Sequence, residues 1–233
     1  MNYLYIFILC FIILAVSFYT QYKYELLNVE SFLNSNSNNN NNNNNNTIVL
    51  LGDSILKNNS YVKNGLSIED ILREKKGDNL HCLALNNSTV VDIYSQIDSI
   101  PLELNNENTT IFLSSGGNDI LSQYIDKRDS DVSDSQVLNV IFIAYKKMVK
   151  SLQTKMNKSK LVLIDIYYPT SNQFSQYKPI IQEWNNMLEK YAGEKSFGLI
   201  QISKSVTASD DFTLSIEPSE KGGEKIARSI LNY

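Results

Sequence analysis

The sequence predicts an α/β domain built on a parallel sheet with helices on both faces. Three observations carry this. Short apolar, β-branched runs recur from Thr47 onward. Segments with helical apolar spacing lie between them. Two of the apolar runs are followed at once by small polar clusters, where open parallel sheets bind their ligands.

Thr47 to Leu51 (TIVLL) is apolar throughout, which suits a central strand covered on both faces. His81 to Leu85, Thr110 to Ser114, Leu161 to Ile166 and Phe197 to Ile202 are the further strand candidates. Ser67 to Glu74 and Val90 to Ile97 read as short helices. Gln136 to Met156 reads as a long one, with Val137, Val140, Ile141, Ala144, Met148 and Leu152 on one stripe. Pro179 to Tyr191 carries Ile180, Ile181, Trp184, Met187, Leu188 and Tyr191 at helical spacing, and a last helix runs from about Lys221 to Leu231. Lys57 to Leu66 and Tyr124 to Ser135 read as loops.

The chain divides into three parts. Residues 1–24 hold an uncharged apolar run, Tyr3 to Tyr19, flanked by tyrosines. It reads as an uncleaved membrane anchor or as a secretory signal with Ala15 and Ser17 before the cut. The lack of Lys or Arg ahead of it favours the anchor. Residues 25–46 read as an Asn-rich, disordered linker, in which Asn34 to Asn46 is nearly pure Asn and Ser and buries no apolar surface. Residues 47–233 form the folded domain. The expected location is therefore membrane-anchored through a single pass, or secreted, with the orientation open. Asn58-Asn59-Ser60 and Asn108-Thr109-Thr110 are glycosylation sequons, which an Asn-rich chain also acquires by chance.

The net charge of −4 comes without a basic run, which argues against a nucleic-acid partner. Two cysteines, Cys10 and Cys82, indicate neither a disulfide framework nor a zinc site. His81 is the only histidine.

The polar clusters sit where chemistry is expected. Gly52-Asp53-Ser54 follows the first strand and puts a hydroxyl at its carboxyl edge. Gly116-Gly117-Asn118-Asp119 follows the third; its glycines permit close backbone approach, and Asn118 can aim an amide N–H at a developing oxyanion. Each cluster alone also suits ordinary turn or helix-capping chemistry.

In this order, the clusters resemble the first and third blocks of the SGNH (GDSL-type) hydrolases. Leu83 to Ile93 is similar to the second block, with Asn87 at the position of its oxyanion-hole glycine. Asn is the non-glycine residue best suited to left-handed geometry, and its backbone N–H remains. Glu183-Trp184-Asn185 resembles the helix before the last strand, and Ile216 to Ala227 resembles the closing block. The resemblance spans Thr47 to the C-terminus. It implies a three-layer α/β/α sandwich with a five-stranded parallel sheet, flavodoxin-like in arrangement. It implies hydrolysis of small-molecule esters, or of acyl or acetyl groups on glycans or lipids, without metal or cofactor. Ser54 is then the nucleophile. The Ser54 and Asn87 backbone amides and the Asn118 side chain form the oxyanion hole, and Gly52, Asp53, Gly116, Gly117 and Asp119 support the loops.

The closing block departs from the family. Its histidine falls on Glu217 and its aspartate on Leu214. His81 lies in a strand six residues before Asn87, up to about 20 Å away at ~3.3 Å per residue, and reads as a packing residue. Asp210 and Asp211 read as a solvated loop. Two readings follow. In one, Glu217 is the general base; its free pKa lies about two units below that of histidine, and burial, with Leu214 desolvating it, raises it. In the other, the domain is a catalytically inactive relative that binds a ligand or is displayed at a surface. Tyr167, Tyr168, Phe174 and Tyr177 either line an aromatic subsite or pack at the surface.

Overall fold

The computed structural model describes residues 46–126 and 133–233. The apolar run at 3–19, the linker up to residue 45 and the middle of the loop expected at 124–135 lie outside the described residues. Among the described residues, no helix is long and apolar enough to cross a membrane.

In chain order the elements are β1 (Thr47–Leu51), α1 (Ile68–Lys76), β2 (Leu80–Cys82), α2 (Ile93–Asp98), β3 (Thr109–Ser114), α3 (Gly117–Asp126) and α4 (Asp134–Lys155). Then follow β4 (Lys160–Ile164), α5 (Lys178–Lys195), β5 (Gly198–Ile200), a hairpin of β6 (Phe212–Thr213) and β7 (Glu217–Pro218), and α6 (Glu220–Leu231). The first five strands form one sheet in the order β2-β1-β3-β4-β5, parallel throughout. Successive strand residues face opposite sides of a sheet. Ile48, Val49, Leu50 and Leu51 are all at most 4 % exposed, so both faces of β1 are covered. The helices form two packed groups, α1 with α6, and α2, α3 and α5 around α4. This is the three-layer arrangement the sequence implied.

Local chemistry sets the helix starts. Ser67 and Ser133 each form a capping box, with Asp70 and Gln136 respectively. Ser219 caps α6 by accepting from the Gly222 N–H.

Two expectations need correction. β2 ends at Cys82 instead of continuing to Leu85. The chain still runs beside β1, with Leu83 N and Leu85 N donating to Leu50 O and Gly52 O, but Leu85 is already 55 % exposed. Helix α3 was not foreseen, because Gly117, Asn118 and Asp119 are poor helix formers. They occupy its first turn, where an acidic side chain is favourable and interior propensity matters little.

Beside α3 lies an aromatic cluster. Trp184 of α5 is fully buried and meets Phe142 and Tyr145 of α4 edge-on, at 5.4 and 5.5 Å between centroids. Gly116 runs under this indole at φ 109°, and a Cβ there would stand 2.2 Å from the ring. Steric overlap and a left-handed backbone therefore both oppose a side chain at 116. Gly116→Ala should lower unfolding free energy by on the order of 3 kcal/mol, read as a lower urea midpoint at unchanged m value. An unchanged midpoint would mean that the Trp184 ring moves aside freely.

Candidate active site

The strand order reverses between β1 and β3, and such a switch point is where open α/β sheets form a crevice. The two clusters read from the sequence leave the sheet there. Gly52 exits β1 at φ 148°, so close to β3 that a Cβ would meet the Ser114 carbonyl oxygen at 2.3 Å. Asp53 follows, 2 % exposed, its Oδ1 accepting from the Ile55 N–H (3.1 Å) and the Ser114 hydroxyl (3.3 Å). Leu56 N and Lys57 N both donate to Asp53 O, which closes the turn around Ser54. Burial pushes the Asp53 carboxyl up to about 7 against these bonds, and the charge of Glu217 pushes the same way.

Gln96 was missed in the sequence. It is 2 % exposed, on the inner face of α2 between Ile93 and Ile97. Its Oε1 accepts from Gly52 N (2.8 Å), and its Nε2 donates to Gly52 O (2.8 Å) and to the Ser88 hydroxyl (3.1 Å). One amide thus fixes both the Gly52-Asp53-Ser54 turn and the loop of Asn87. The available signal was an amide at apolar helical spacing.

Asn87 takes the left-handed conformation expected of it, with φ 61°. It is exposed and does not line the cleft described below. Its loop is nevertheless held to the start of α3. Asn118 Nδ2 donates to Ser88 O (3.0 Å), and Asp119 Oδ2 accepts from Val90 N (3.0 Å). One Asn118 amide hydrogen is thus occupied, and the other is left for a ligand. Burial pushes the Asp119 carboxyl up, opposed by the Val90 bond.

Glu217 arrives on the β6–β7 hairpin, paired with Thr213. Leu214 and Ser215 form the turn, both at positive φ (47° and 72°), and Ile216 N donates back to Thr213 O (3.2 Å). Leu214 is 70 % exposed at the tip, so the expectation that it desolvates Glu217 is wrong. The cleft itself provides the burial, which pushes the Glu217 carboxyl up; the nearby Ser54 hydroxyl acts in the opposite direction. Its Oε2 is buried without a donor. Tyr61 and Tyr167 also feel this charge: burial first, then Glu217, pushes both hydroxyls up.

The remaining acids and the histidine stand apart. Asp211 is 1 % exposed rather than solvated, accepting from Thr207 N, Ala208 N and Lys225 Nζ at 2.8, 2.9 and 2.7 Å. Asp210 is exposed and pairs with Lys221. His81 lies in β2 opposite Val49. None of the three lines the cleft. Asn58 of the first sequon is fully buried with both amide atoms bonded, which leaves no room for a glycan in this fold.

The cleft brings together Asp53, Ser54, Gly117, Asn118 and Glu217. Its other walls are apolar or aromatic: Ile55, Ile120, Leu121, Ile166, Tyr167, Pro169, Phe174, Tyr177, Ile181 and Ile216. Tyr167 and Tyr177, at 3 % and 5 % exposure, are buried walls and not surface residues. Tyr168 is not part of this wall; Lys178 lies over its ring.

No family model and no curated protein matches the sequence. Solved structures do match its fold. A member of the lipolytic protein G-D-S-L family from Veillonella parvula is 18 % identical and superposes with a TM-score of 0.59, over 80 % of this chain and 96 % of that one. A lipase from goat rumen metagenome is 14 % identical, with a TM-score of 0.65 over 80 % and 96 %. An acetyl xylan esterase is 15 % identical, with a TM-score of 0.58 over 80 % and 98 %. The described domain therefore has the fold of the SGNH, or GDSL-type, hydrolases.

Proposed function

We propose that the domain is a serine ester hydrolase acting on small esters with an apolar acyl group, with Ser54 as nucleophile and Glu217 as its base. The observation that carries this reading is that the half-buried Glu217 carboxyl and the Ser54 hydroxyl line the same, largely apolar cleft. A serine hydroxyl needs a proton acceptor within hydrogen-bond reach, and a carboxylate with a raised pKa is a better acceptor near neutrality than a free one. The printed descriptions of the structural neighbours, lipases and an acetyl xylan esterase, agree with ester chemistry.

The steps balance without any further group. Ser54 Oγ bonds to the ester carbonyl carbon while its proton passes to Glu217. The oxyanion is met by the Ser54 backbone N–H and the second Asn118 amide hydrogen, both on residues that line the cleft. The intermediate collapses, breaking the bond to the alkoxy oxygen, which takes the proton from Glu217. Water then repeats the sequence on the acyl-Ser54, with Glu217 accepting its proton and returning it to the Ser54 oxygen. Asp53, held largely protonated below neutrality by its burial, leaves Glu217 as the ionised carboxylate facing the hydroxyl. The apolar run at 3–19, as an anchor, would hold this chemistry near a bilayer.

The full chain should hydrolyse p-nitrophenyl butyrate and be labelled at Ser54 by a serine-directed phosphonate. Activity should rise with pH through a midpoint above that of an ordinary glutamate. Ser54→Ala and Glu217→Gln should each cost at least ~100-fold in kcat. Absence of both turnover and labelling from mildly acidic to alkaline pH would instead leave the inactive, ligand-binding reading.

Asp53 gives a separate prediction. Its folded pKa of about 7 exceeds the ordinary 3.8, so the folded state resists its ionisation. Its contribution to stability is intact below about pH 4 and is lost as pH rises to about 7, on the order of 4 kcal/mol in all. Asp53→Asn should remove this decline, so the variant's urea midpoint should gain on the parent's between pH 4 and 7. Parallel curves would show that Asp53 is not buried as described.

A further inference from the structure

Resting on that reading, a second question concerns what aims the base. A glutamate has three rotatable side-chain bonds, and neither a histidine nor an orienting aspartate stands behind it. The hairpin tip cannot supply rigidity, because Leu214 is out in solvent. The carbonyls on either side of Glu217 are both held, however. Ile216 O accepts from the Tyr167 hydroxyl at 2.7 Å, and Pro218 O accepts from Asn58 Nδ2 at 3.2 Å.

Both donors belong to buried, well-tied positions. Tyr167 follows the end of β4, is 3 % exposed, and packs its ring edge-on against Phe212 of β6 at 5.1 Å. Asn58 is fully buried, and its Oδ1 accepts from Ile68 N (2.9 Å) at the start of α1. The hairpin is thus fastened to the sheet on one side and to a helix on the other, with Glu217 between the two fastenings. The bond to Ile216 O restricts one of the two peptide planes that meet at the Glu217 Cα, and the bond to Pro218 O holds the plane that follows them.

We propose that Tyr167 and Asn58 are positioning residues: by bracketing the backbone of Glu217 they hold its carboxylate at the Ser54 hydroxyl, the task an orienting carboxylate performs behind a catalytic histidine. Neither touches the reacting atoms in this scheme. Misplacement of a catalytic group by about 1 Å can cost roughly 100-fold in rate, so fixing the backbone matters.

The decisive variant is Tyr167→Phe, which keeps the ring against Phe212 and the cleft wall and removes only the donor. Two readouts are needed on the full chain. One is kcat and KM for p-nitrophenyl butyrate across pH. The other is the titration of Glu217 itself, followed by carboxyl carbon-13 resonances of labelled glutamate and assigned with Glu217→Gln. Ser54, Asp53, Tyr61 and Tyr167 face Glu217 and are unchanged in the variant apart from the lost hydroxyl.

The expected result is kcat lower by about 10- to 100-fold with KM within about twofold. The Glu217 midpoint should also fall toward that of an ordinary glutamate, because a loosened hairpin admits water. Unchanged kcat overturns the proposal. So does a fall in kcat that tracks thermal stability while the Glu217 titration stays in place, which marks a structural bond only. Asn58→Asp keeps the acceptor for Ile68 N and removes the donor to Pro218; an unshifted Glu217 titration there excludes Asn58 from the bracket. If the parent shows no turnover, the ester-hydrolase reading fails, and the Glu217 titrations still decide whether the bracket sets the carboxylate's environment.

Discussion

The parallel pairing of β1 with β3, from Thr47 opposite Thr109 to Leu51 opposite Leu113, is the constraint on which the site depends. Paired strands lie about 4.8 Å apart, so two chain segments leave the sheet side by side at the same height. One exit carries Gly52-Asp53-Ser54 and the other Gly116-Gly117-Asn118. Because the crossovers from these strands lead to opposite halves of the sheet, a crevice opens between them. The close contacts follow from this: Gly52 lies on the Ser114 carbonyl, Asp53 accepts from the Ser114 hydroxyl, and Asn118 reaches Ser88.

Polar bonds then fix the loops that the sheet only brings near. Gln96 matters most here because a single buried amide serves the donor and the acceptor of Gly52 and also reaches Ser88. Buried polar groups are costly unless satisfied, so an amide in this position couples the two loops to the same geometry. Asn185 does the same farther along the sheet edge, accepting from Ile166 N and donating to Ile166 O at 3.0 and 2.7 Å. That pair steadies the segment leading into Tyr167 and the apolar wall of the cleft.

Two carboxyl groups share the cleft with Ser54, and their surroundings differ. Asp53 is enclosed, with a pKa near neutrality set chiefly by burial. Glu217 is half-buried, shares the cleft with Ser54, and has one oxygen without a donor. Like charges in a poorly solvated cleft repel, so ionisation of one disfavours ionisation of the other. The less buried group ionises more readily, and in the proposed chemistry it is also the one that receives the proton.

The sequence alone determined the layered α/β class, because β-branched runs and helical stripes follow strict periodicities that local physics enforces. It also put Ser54 and Asn118 just past strand ends and suited Asn87 to its left-handed backbone, because short motifs at strand ends are local signals; Glu217 came only through the resemblance of the closing block. It misjudged α3, whose first turn reads as loop chemistry, and it gave Leu214 and Asp211 the wrong surroundings. Burial is not written in a residue's neighbours along the chain. Leu214 is exposed because a tight turn carries it to a hairpin tip, and Asp211 is buried because Lys225 and two backbone N–H groups close on it. Gln96, Tyr167 and Asn58 stayed hidden for the same reason: their partners lie 44, 49 and 160 positions away in sequence. Only the tertiary fold decides which distant carbonyl or amide a side chain meets, since a hydrogen bond depends on distance and angle in space and leaves no periodic trace along the chain.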